Sequence, residues 1–192
     1  LLQENGISFD THEFLDAQAW QILYNGGTGF RKISAVVKGF VRRAAKVLFA
    51  SYHYDYIFIH REASPIGPPI FEWYLSKVAQ KKIVFDFDDA IWIPNVTETN
   101  RTAGYVKAFW KVKYITRWAH KVSAGNDFLA HWAEQHNIKV IINPTCVDMQ
   151  AKFNQAKQHL HTNKIVIGWT GSHSTLKYLD VLYPVLLRLE NE

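Results

Sequence analysis

Hydrophobic residues along the chain follow two alternating patterns. Short runs rich in β-branched and aromatic residues predict strands, and stretches with apolar residues every three or four positions predict helices. The predicted strands are 7–11, 56–60, 83–86, 121–123, 140–142 and 165–168, and the predicted helices are 16–24, 31–50, 69–79, 103–119, 127–136 and 175–189. This alternation predicts an α/β fold, a parallel sheet with helices on both faces.

A polar stretch at 150–163 separates the last predicted strand and helix from the rest of the chain. One strand and one helix are too few to bury a core of their own. We therefore expect two domains, 1–162 and 163–192, of which the second is incomplete.

The composition is that of a globular chain. Of the 192 residues, 48% are hydrophobic and 20% are charged, which excludes a disordered tail. No apolar run approaches the roughly 20 residues that a bilayer-spanning helix needs. The single cysteine, Cys146, cannot form an internal disulfide, so a reducing, cytoplasmic compartment is favoured.

Positive charge is concentrated in two acid-free stretches, 17–54 and 99–126, and each holds six lysines and arginines. On a helical wheel at about 100° per residue, the apolar residues of 31–50 fill one face and the basic residues lie opposite. The second stretch mixes its cations with tryptophan and tyrosine. Three interpretations stay open: a solvated basic face over a packed core, an anionic membrane surface bound through 31–50 and 103–121, or a nucleic acid. No base-stacking or groove-reading motif accompanies the charge, so we expect no nucleic acid partner.

Polar residues follow several predicted strands, where ligands bind in doubly wound sheets. His60, Arg61 and Glu62 end the strand 56–60, and together they could polarise a hydroxyl and hold an anion. A merely polar surface loop is the alternative.

Asp86, Asp88 and Asp89 crowd three carboxylates into four positions after the next strand. Such crowding calls for a cation or a shared proton, unless these residues only cap the next element. Asn126 and Asp127 open a helix after the strand 121–123, and N-capping alone explains them.

A glycine-containing turn at 168–177 follows the last predicted strand. Its small residues would let backbone amides approach a phosphate at a helix N-terminus, and Lys177 could add charge. The turn matches neither the dinucleotide fingerprint nor the phosphate-binding loop of nucleotide triphosphatases.

Five segments in collinear order, 54–69, 84–92, 123–126, 142–148 and 167–179, resemble bacterial family 4-like glycosyltransferases. They read YDYIFIHREASPIGPP, VFDFDDAIW, SAGN, INPTCVD and IGWTGSHSTLKYL. The resemblance implies a GT-B fold, in which two Rossmann-like domains face each other across a cleft. It further implies transfer of a sugar, with retention of configuration, from a nucleotide sugar to a glycan or lipid-linked acceptor in cell-surface polysaccharide synthesis. The enzyme would act in the cytoplasm or at the inner face of the membrane.

The resemblance also assigns site residues. It makes His60, Glu62 and Asp88 catalytic, and places the acceptor against Arg61, Asp86, Asp89 and Asn126. Residues near the donor diphosphate would be Gly168, Thr170, Gly171, Ser172 and Lys177. Enzymes of this kind use no cofactor and usually no metal, because helix dipoles and basic side chains stabilise the leaving diphosphate.

Some features depart from the family pattern. Trp169 stands where many relatives have arginine, and Cys146 where many have glycine. The family's first strand would precede Leu1, and its paired glutamates would follow Glu192. We therefore expect the chain alone to be inactive.

Two other functions remain open. The run 84–91 also resembles the first motif of haloacid-dehalogenase-type phosphatases, in which Asp86 would be the nucleophile and Asp88 the acid/base, with Mg²⁺. Ala90 stands where that motif usually has threonine. The third possibility is a catalytically inactive module that binds a membrane surface.

Overall fold

The computed structural model describes residues 3–24, 28–94, 106–147, 166–171, 176 and 178–190. Four parallel strands form one sheet in the order β1-β2-β3-β4: β1 (Tyr56–His60), β2 (Lys82–Phe87), β3 (Lys121–Ala124) and β4 (Val140–Ile142). The described α-helices are α1 (Ala17–Tyr24), α2 (Gly29–Ala45), α3 (Ile70–Trp73), α4 (Lys111–Trp118), α5 (Asp127–Glu134) and α6 (Tyr183–Glu190). The α/β fold class is confirmed, and the parallel sheet is of Rossmann-like type.

The chain divides into two compact units, 1–147 and 148–192. The first contains the whole sheet and α1 to α5. In the second, the described residues include α6 and the short segment 166–171. The predicted boundary between residues 162 and 163 lies outside the described residues.

Alternation along β2 determines where the core lies. Ile83, Phe85 and Phe87 are almost fully buried, whereas Lys82 is exposed and Asp86 half-buried. The three apolar residues belong to one core cluster with side chains of four elements: Phe71 of α3, Val112 and Ile115 of α4, Val122 of β3, and Leu129 of α5. The helices α3, α4 and α5 therefore pack on the same face of the sheet.

Helix α2 joins this layer through Phe40, whose ring lies 6.0 Å from that of Phe71. A π-helical turn, Lys46–Ala50, continues α2, and another, Tyr74–Val78, continues α3. The predicted helices 31–50 and 69–79 thus correspond to helical segments with a change of pitch.

The predicted strand at 7–11 is wrong. Residues 7–13 lie outside the sheet, and side chains contact the segment at two points. Arg43 donates to the carbonyl of His12 at 2.9 Å, and Tyr54 donates to the Asp10 carboxylate at 2.7 Å. The segment is therefore held by side chains of α2 and of the chain before β1.

Of the predictions for the last part of the chain, the helix 175–189 is confirmed at 183–189 and the strand 165–168 is not found where the structure describes it. Residues 166–168 lie outside any strand, although 165–168 was a predicted one. Helix α6 begins at Tyr183 rather than at residue 175, after a turn at 179–182. Farther upstream, the predicted helix 103–119 corresponds to α4, which begins at Lys111. Of the residues before it, 106–110 are described, and they include a turn.

The two basic stretches also differ from the predicted pattern. In α2 the buried residues are Ala35 and Gly39, whereas Ile33, Val37 and Val41 of the predicted apolar face are exposed. In α4 the cation Lys111 is only 1% exposed. Among the described residues, no helix is both long and apolar enough to cross a membrane.

Candidate functional site

Strand register brings three polar residues into one row at the carboxyl end of the sheet. His60 pairs with Asp86, and Asp86 pairs with Ser123. The His60 Nδ1 atom lies 2.8 Å from Asp86 Oδ2, and the Ser123 hydroxyl donates to Asp86 Oδ1 at 2.6 Å. Both carboxylate oxygens of Asp86 are therefore engaged.

This row fixes the orientation of the His60 ring. An ionised carboxylate only accepts hydrogen bonds, so His60 Nδ1 carries the proton donated to Asp86. The other ring nitrogen, Nε2, lies 4.0 Å from Asp88 Oδ1, and the His60 side chain is 52% exposed. The arrangement leaves Nε2 available to accept a proton or a hydrogen bond from a ligand hydroxyl.

Arg61 links the loops that follow β1 and β2. Its Nε donates to Asp88 Oδ1 at 3.0 Å, and one terminal nitrogen contacts both Asp88 and Asp89. Its backbone adopts φ 62°, a left-handed conformation that non-glycine residues rarely take, and its amide donates to the Asp86 carbonyl at 2.7 Å. Strained backbone of this kind is concentrated at functional sites.

The ion pair with Arg61 affects the ionisation of Asp88. Partial burial, the largest single influence, would raise the Asp88 pKa. Hydrogen bonds from Arg61 and from a backbone amide, together with the charges of Arg61 and His60, outweigh burial and hold that pKa below its ordinary value of 3.8. Asp88 is therefore an anion at neutral pH.

The carboxylate of Glu62 is paired with the buried side chain of Lys111. Lys111 Nζ lies 2.8 Å from the Glu62 carboxylate and donates to the Ser64 carbonyl at 2.8 Å. Glu72 is fully buried close by, and its Oε1 accepts the amide of Ala63 at 2.9 Å, while its Oε2 has no hydrogen-bond partner. Burial raises the pKa of Glu72 above 4.5, although the Ala63 amide and the Lys111 charge act in the opposite direction.

A groove of about 700 Å³ runs along the outer edge of β1. His60 and Glu62 line its end, and the segment 9–14 and the strand residues 57–59 line the rest. Most of its lining surface is apolar, and polar side chains such as Asp10, His12, Arg43 and Lys46 lie among the apolar ones. That is the usual character of a small-ligand site.

The structure assigns Asn126 a capping role. Its Oδ1 accepts the amide of Leu129 at 3.0 Å at the start of α5, as the sequence predicted for an N-cap. The preceding Gly125 approaches the loop after β2 so closely that an added Cβ would lie 3.0 Å from Asp88 Cα. The ends of β2 and β3 are thus in direct contact.

The predicted donor residues lie in the second unit, which is described by itself. Gly168, Thr170 and Gly171 are exposed and lie outside regular structure, and α6 begins 12 residues after Gly171, at Tyr183. The residues directly after Gly171, 172–175, lie outside the described residues. Ser172 is one of them, and Lys177 lies outside the described residues as well.

Sequence reasoning missed three residues that support the site. Ser123, at the end of the predicted strand 121–123, and Gly125, just after it, were given no role because serine and glycine are common at such positions, although their place beside Asp86 and Asp88 follows from a parallel sheet. Lys111 was counted among the surface cations. Its place between apolar positions of a helix was the available signal of burial.

Among the described residues, no group of three or more histidine, cysteine, aspartate and glutamate side chains is placed to hold a metal ion. Comparison of the chain with protein-family models, with curated proteins and with solved structures finds no match.

Proposed function

We propose that the chain is part of a glycosyltransferase that moves a sugar from a nucleotide-sugar donor to a glycan or lipid-linked acceptor, in synthesis of a cell-surface polysaccharide at the cytoplasmic face of the membrane. The observation that carries the proposal is the row His60–Asp86–Ser123 beside the Arg61–Asp88–Asp89 ion pairs, at the carboxyl end of a parallel sheet. Ligands of such sheets bind at that end.

The site has the groups that recognition of a sugar or polyol needs. Exposed carboxylates at Asp88 and Asp89 accept hydrogen bonds from hydroxyls, and Arg61 donates them. His60 Nε2, oriented through Asp86, accepts a hydrogen bond from the reacting hydroxyl and polarises it. In the transfer, the C1–O bond to the leaving diphosphate breaks, a C1–O bond to the acceptor oxygen forms, and the proton of the acceptor hydroxyl passes to His60 Nε2.

The adjacent groove suits an acceptor of some length. It extends from His60 and Glu62 past the apolar residues Phe58 and Phe9. An acceptor that combines hydroxyl-rich and apolar parts fits this distribution of polar and apolar groups. The side-chain oxygen of Asn126 accepts the capping hydrogen bond, so only its amide nitrogen is free to contact a sugar acceptor.

The donor side of the proposal rests on the resemblance of the segment 167–179. Backbone amides near Gly168, Thr170 and Gly171, with Ser172 and Lys177, would approach the diphosphate. Retention of configuration likewise rests on the resemblance alone.

The phosphatase alternative fits the geometry less well. A nucleophilic aspartate needs a carboxylate oxygen free to attack phosphorus. Both oxygens of Asp86 accept hydrogen bonds, one from Ser123 and one from His60, and Asp88 is paired with Arg61. These contacts orient the carboxylates for hydrogen bonding and favour the transferase.

The test is donor turnover by the full-length protein. Nucleotide sugars carrying uridine, guanosine, adenosine or thymidine diphosphate are supplied one at a time with a membrane extract as acceptor source, and nucleoside diphosphate release is measured. Release with one donor, and incorporation of its labelled sugar, supports the proposal. Release of inorganic phosphate from phosphomonoesters, dependent on Mg²⁺ and lost in Asp86→Asn, would support the phosphatase instead.

A further inference from the structure

The helices on the core side of the sheet present their outer faces to solvent as one surface. We define the outer helix surface as the exposed residues of α2, of α3 with its π-helical turn, and of α4 with the residues 106–110 that precede it. These elements lie side by side, because Phe40 contacts Phe71 and α3 contacts α4. The opposite face of the sheet carries Tyr56, Phe58, Lys82 and Lys121, all exposed.

The outer helix surface exposes no acidic side chain. The segments 17–50, 70–81 and 106–121 contain one acid, Glu72, which is fully buried. Its exposed cations are Arg31, Lys38, Lys77, Lys107, Lys113 and Arg117. At its border, Asp16 is paired with Arg42 at 2.8 Å. The neighbouring helix α5 differs, since it exposes Asp127 and Glu134.

The same surface also exposes large apolar side chains. Phe30, Ile33, Val37 and Val41 form a stripe along α2, with exposed fractions of 82%, 65%, 54% and 65%. Aliphatic side chains so exposed along one helix face are unusual on a surface that only meets water.

Aromatic side chains continue this surface on the other two helices. Trp73 is exposed at the end of α3, Trp110 is exposed directly before α4, and Tyr114 is exposed on α4. The Tyr114 ring lies 5.7 Å from Trp110 and 5.8 Å from Trp118, so the three rings form a row along the helix. Lys113 and Arg117 flank this row.

We propose that the outer helix surface lies on an anionic lipid bilayer. Tryptophan and tyrosine prefer the headgroup level of a membrane, lysine and arginine are attracted to anionic lipids, and an apolar helix stripe enters the boundary of the acyl chains. A nucleic acid would leave the aliphatic stripe of α2 without a partner. A protein partner would need a surface that is both acidic and apolar over three helices, whereas an anionic bilayer offers both properties over any area.

The surface reaches the candidate site at one end. The Gly67 amide donates to the Val106 carbonyl at 2.8 Å just before α4, and Lys111 of α4 holds Glu62. A bilayer on this surface therefore brings its headgroups close to the loop that carries Arg61 and Glu62. Membrane binding itself does not depend on the proposed transferase activity, and its test needs no substrate.

The test is co-sedimentation of the chain with vesicles of phosphatidylcholine containing phosphatidylglycerol, compared with pure phosphatidylcholine. We expect binding to the anionic vesicles that weakens with added salt. Lys113→Glu with Arg117→Glu should reduce the partition coefficient about thirtyfold or more. The matched control, Lys82→Glu with Lys121→Glu, makes the same charge change on the opposite face and should have a much smaller effect.

Equal loss in the two double variants would overturn the proposal, because it would show attraction by net charge alone. A second comparison tests the aromatic contact: Trp110→Ala should weaken binding to anionic vesicles several-fold, and Phe58→Ala on the opposite face should not. Absence of vesicle binding together with a dimer in sedimentation that Val37→Asp dissociates would assign the surface to a second copy of the chain instead. Circular dichroism confirms that each variant is folded.

Discussion

His60 and Asp86 occupy paired positions on neighbouring parallel strands, and His60 Nδ1 lies 2.8 Å from Asp86 Oδ2. The contact results from register, because a parallel pair brings the last residues of both strands to one edge. Ser123 extends the row from the third strand. A change at Asp86 should therefore act through His60.

We predict that Asp86→Asn lowers sugar transfer about tenfold or more, because the imidazole loses the acceptor that fixes its protonated nitrogen. In the double variant Asp86→Asn/His60→Ala the loss should be no larger than in His60→Ala alone, which a double-mutant cycle of kcat/KM measures. Fully additive losses would show that Asp86 acts independently of His60. Nitrogen chemical shifts of the His60 ring give a second readout, since a merely structural change would not switch the protonated nitrogen.

The Arg61–Asp88 ion pair should make the free energy of unfolding depend on pH in the acidic range. The Asp88 pKa is lower in the folded chain than in the unfolded chain, so its stabilising contribution is complete above the unfolded value and is lost as pH falls through the folded value. Arg61→Gln should raise the Asp88 pKa towards 3.8, measured by NMR titration of the carboxyl carbon. The control Arg117→Gln, on the exposed face of α4, should leave it unchanged; an unchanged pKa in Arg61→Gln would contradict the assignment.

The buried Glu72 should make the free energy of unfolding depend on pH in the opposite direction. Because burial raises its pKa in the folded state, the folded chain binds a proton more tightly, and the free energy of unfolding falls as pH rises above 4.5 until the folded pKa is passed. Glu72→Gln should remove this fall, so the stability of the variant relative to the natural chain should increase with pH. Urea unfolding at several pH values measures it. The exposed Glu134→Gln serves as control, and parallel curves for Glu72→Gln and the natural chain would refute the prediction.

Gly39 lets Phe14 lie close to α2, so substitution of this glycine should not have the effect that helix propensity alone predicts. An added Cβ at Gly39 would lie 2.8 Å from the Phe14 ring and 2.9 Å from the Phe14 carbonyl oxygen, whereas one at Gly29 would meet nothing within 4 Å. Alanine usually stabilises a helix relative to glycine by about 1 kcal/mol. We predict that Gly39→Ala instead destabilises the chain by about 1–3 kcal/mol, because the segment 12–14 must move. Gly29→Ala should be neutral or slightly stabilising, and equal unfolding midpoints would contradict this account.

The sequence predicted the sheet well because its strands are short, apolar and separated by clear helical periodicity. Strands at 56–60 and 140–142 are confirmed to the residue, and the polar residues after β1 and β2 were found from strand order alone. Their partners were harder to predict. Residues 7–11 have strand-like alternation but lie outside the sheet. Tyr54 donates to the Asp10 carboxylate and Arg43 donates to the His12 carbonyl, and periodicity carries no information about such contacts.

The orientation of α2 shows a second limit of periodicity. Its apolar arc is wider than the face that the core can cover, so the wheel could not tell which apolar residues are buried. Ala35 and Gly39 are buried, because small residues let other elements approach there, whereas Ile33 and Val41 are exposed. The ion pair of Lys111 with Glu62 could not be predicted, because the two residues are 49 positions apart in the sequence.

The most direct test of the central claim is sugar transfer by the full-length protein in which His60→Ala or Asp88→Ala is introduced. The matched controls are His53→Ala and Asp55→Ala, exposed residues that precede β1 at the opposite end of the strand. We predict that His60→Ala lowers kcat/KM about a hundredfold and Asp88→Ala at least tenfold, roughly 1.4 kcal/mol, while both controls stay within about twofold. If His60→Ala and Asp88→Ala both remain within about threefold of the natural enzyme, roughly 0.7 kcal/mol, the carboxyl edge of this sheet is not the site of transfer.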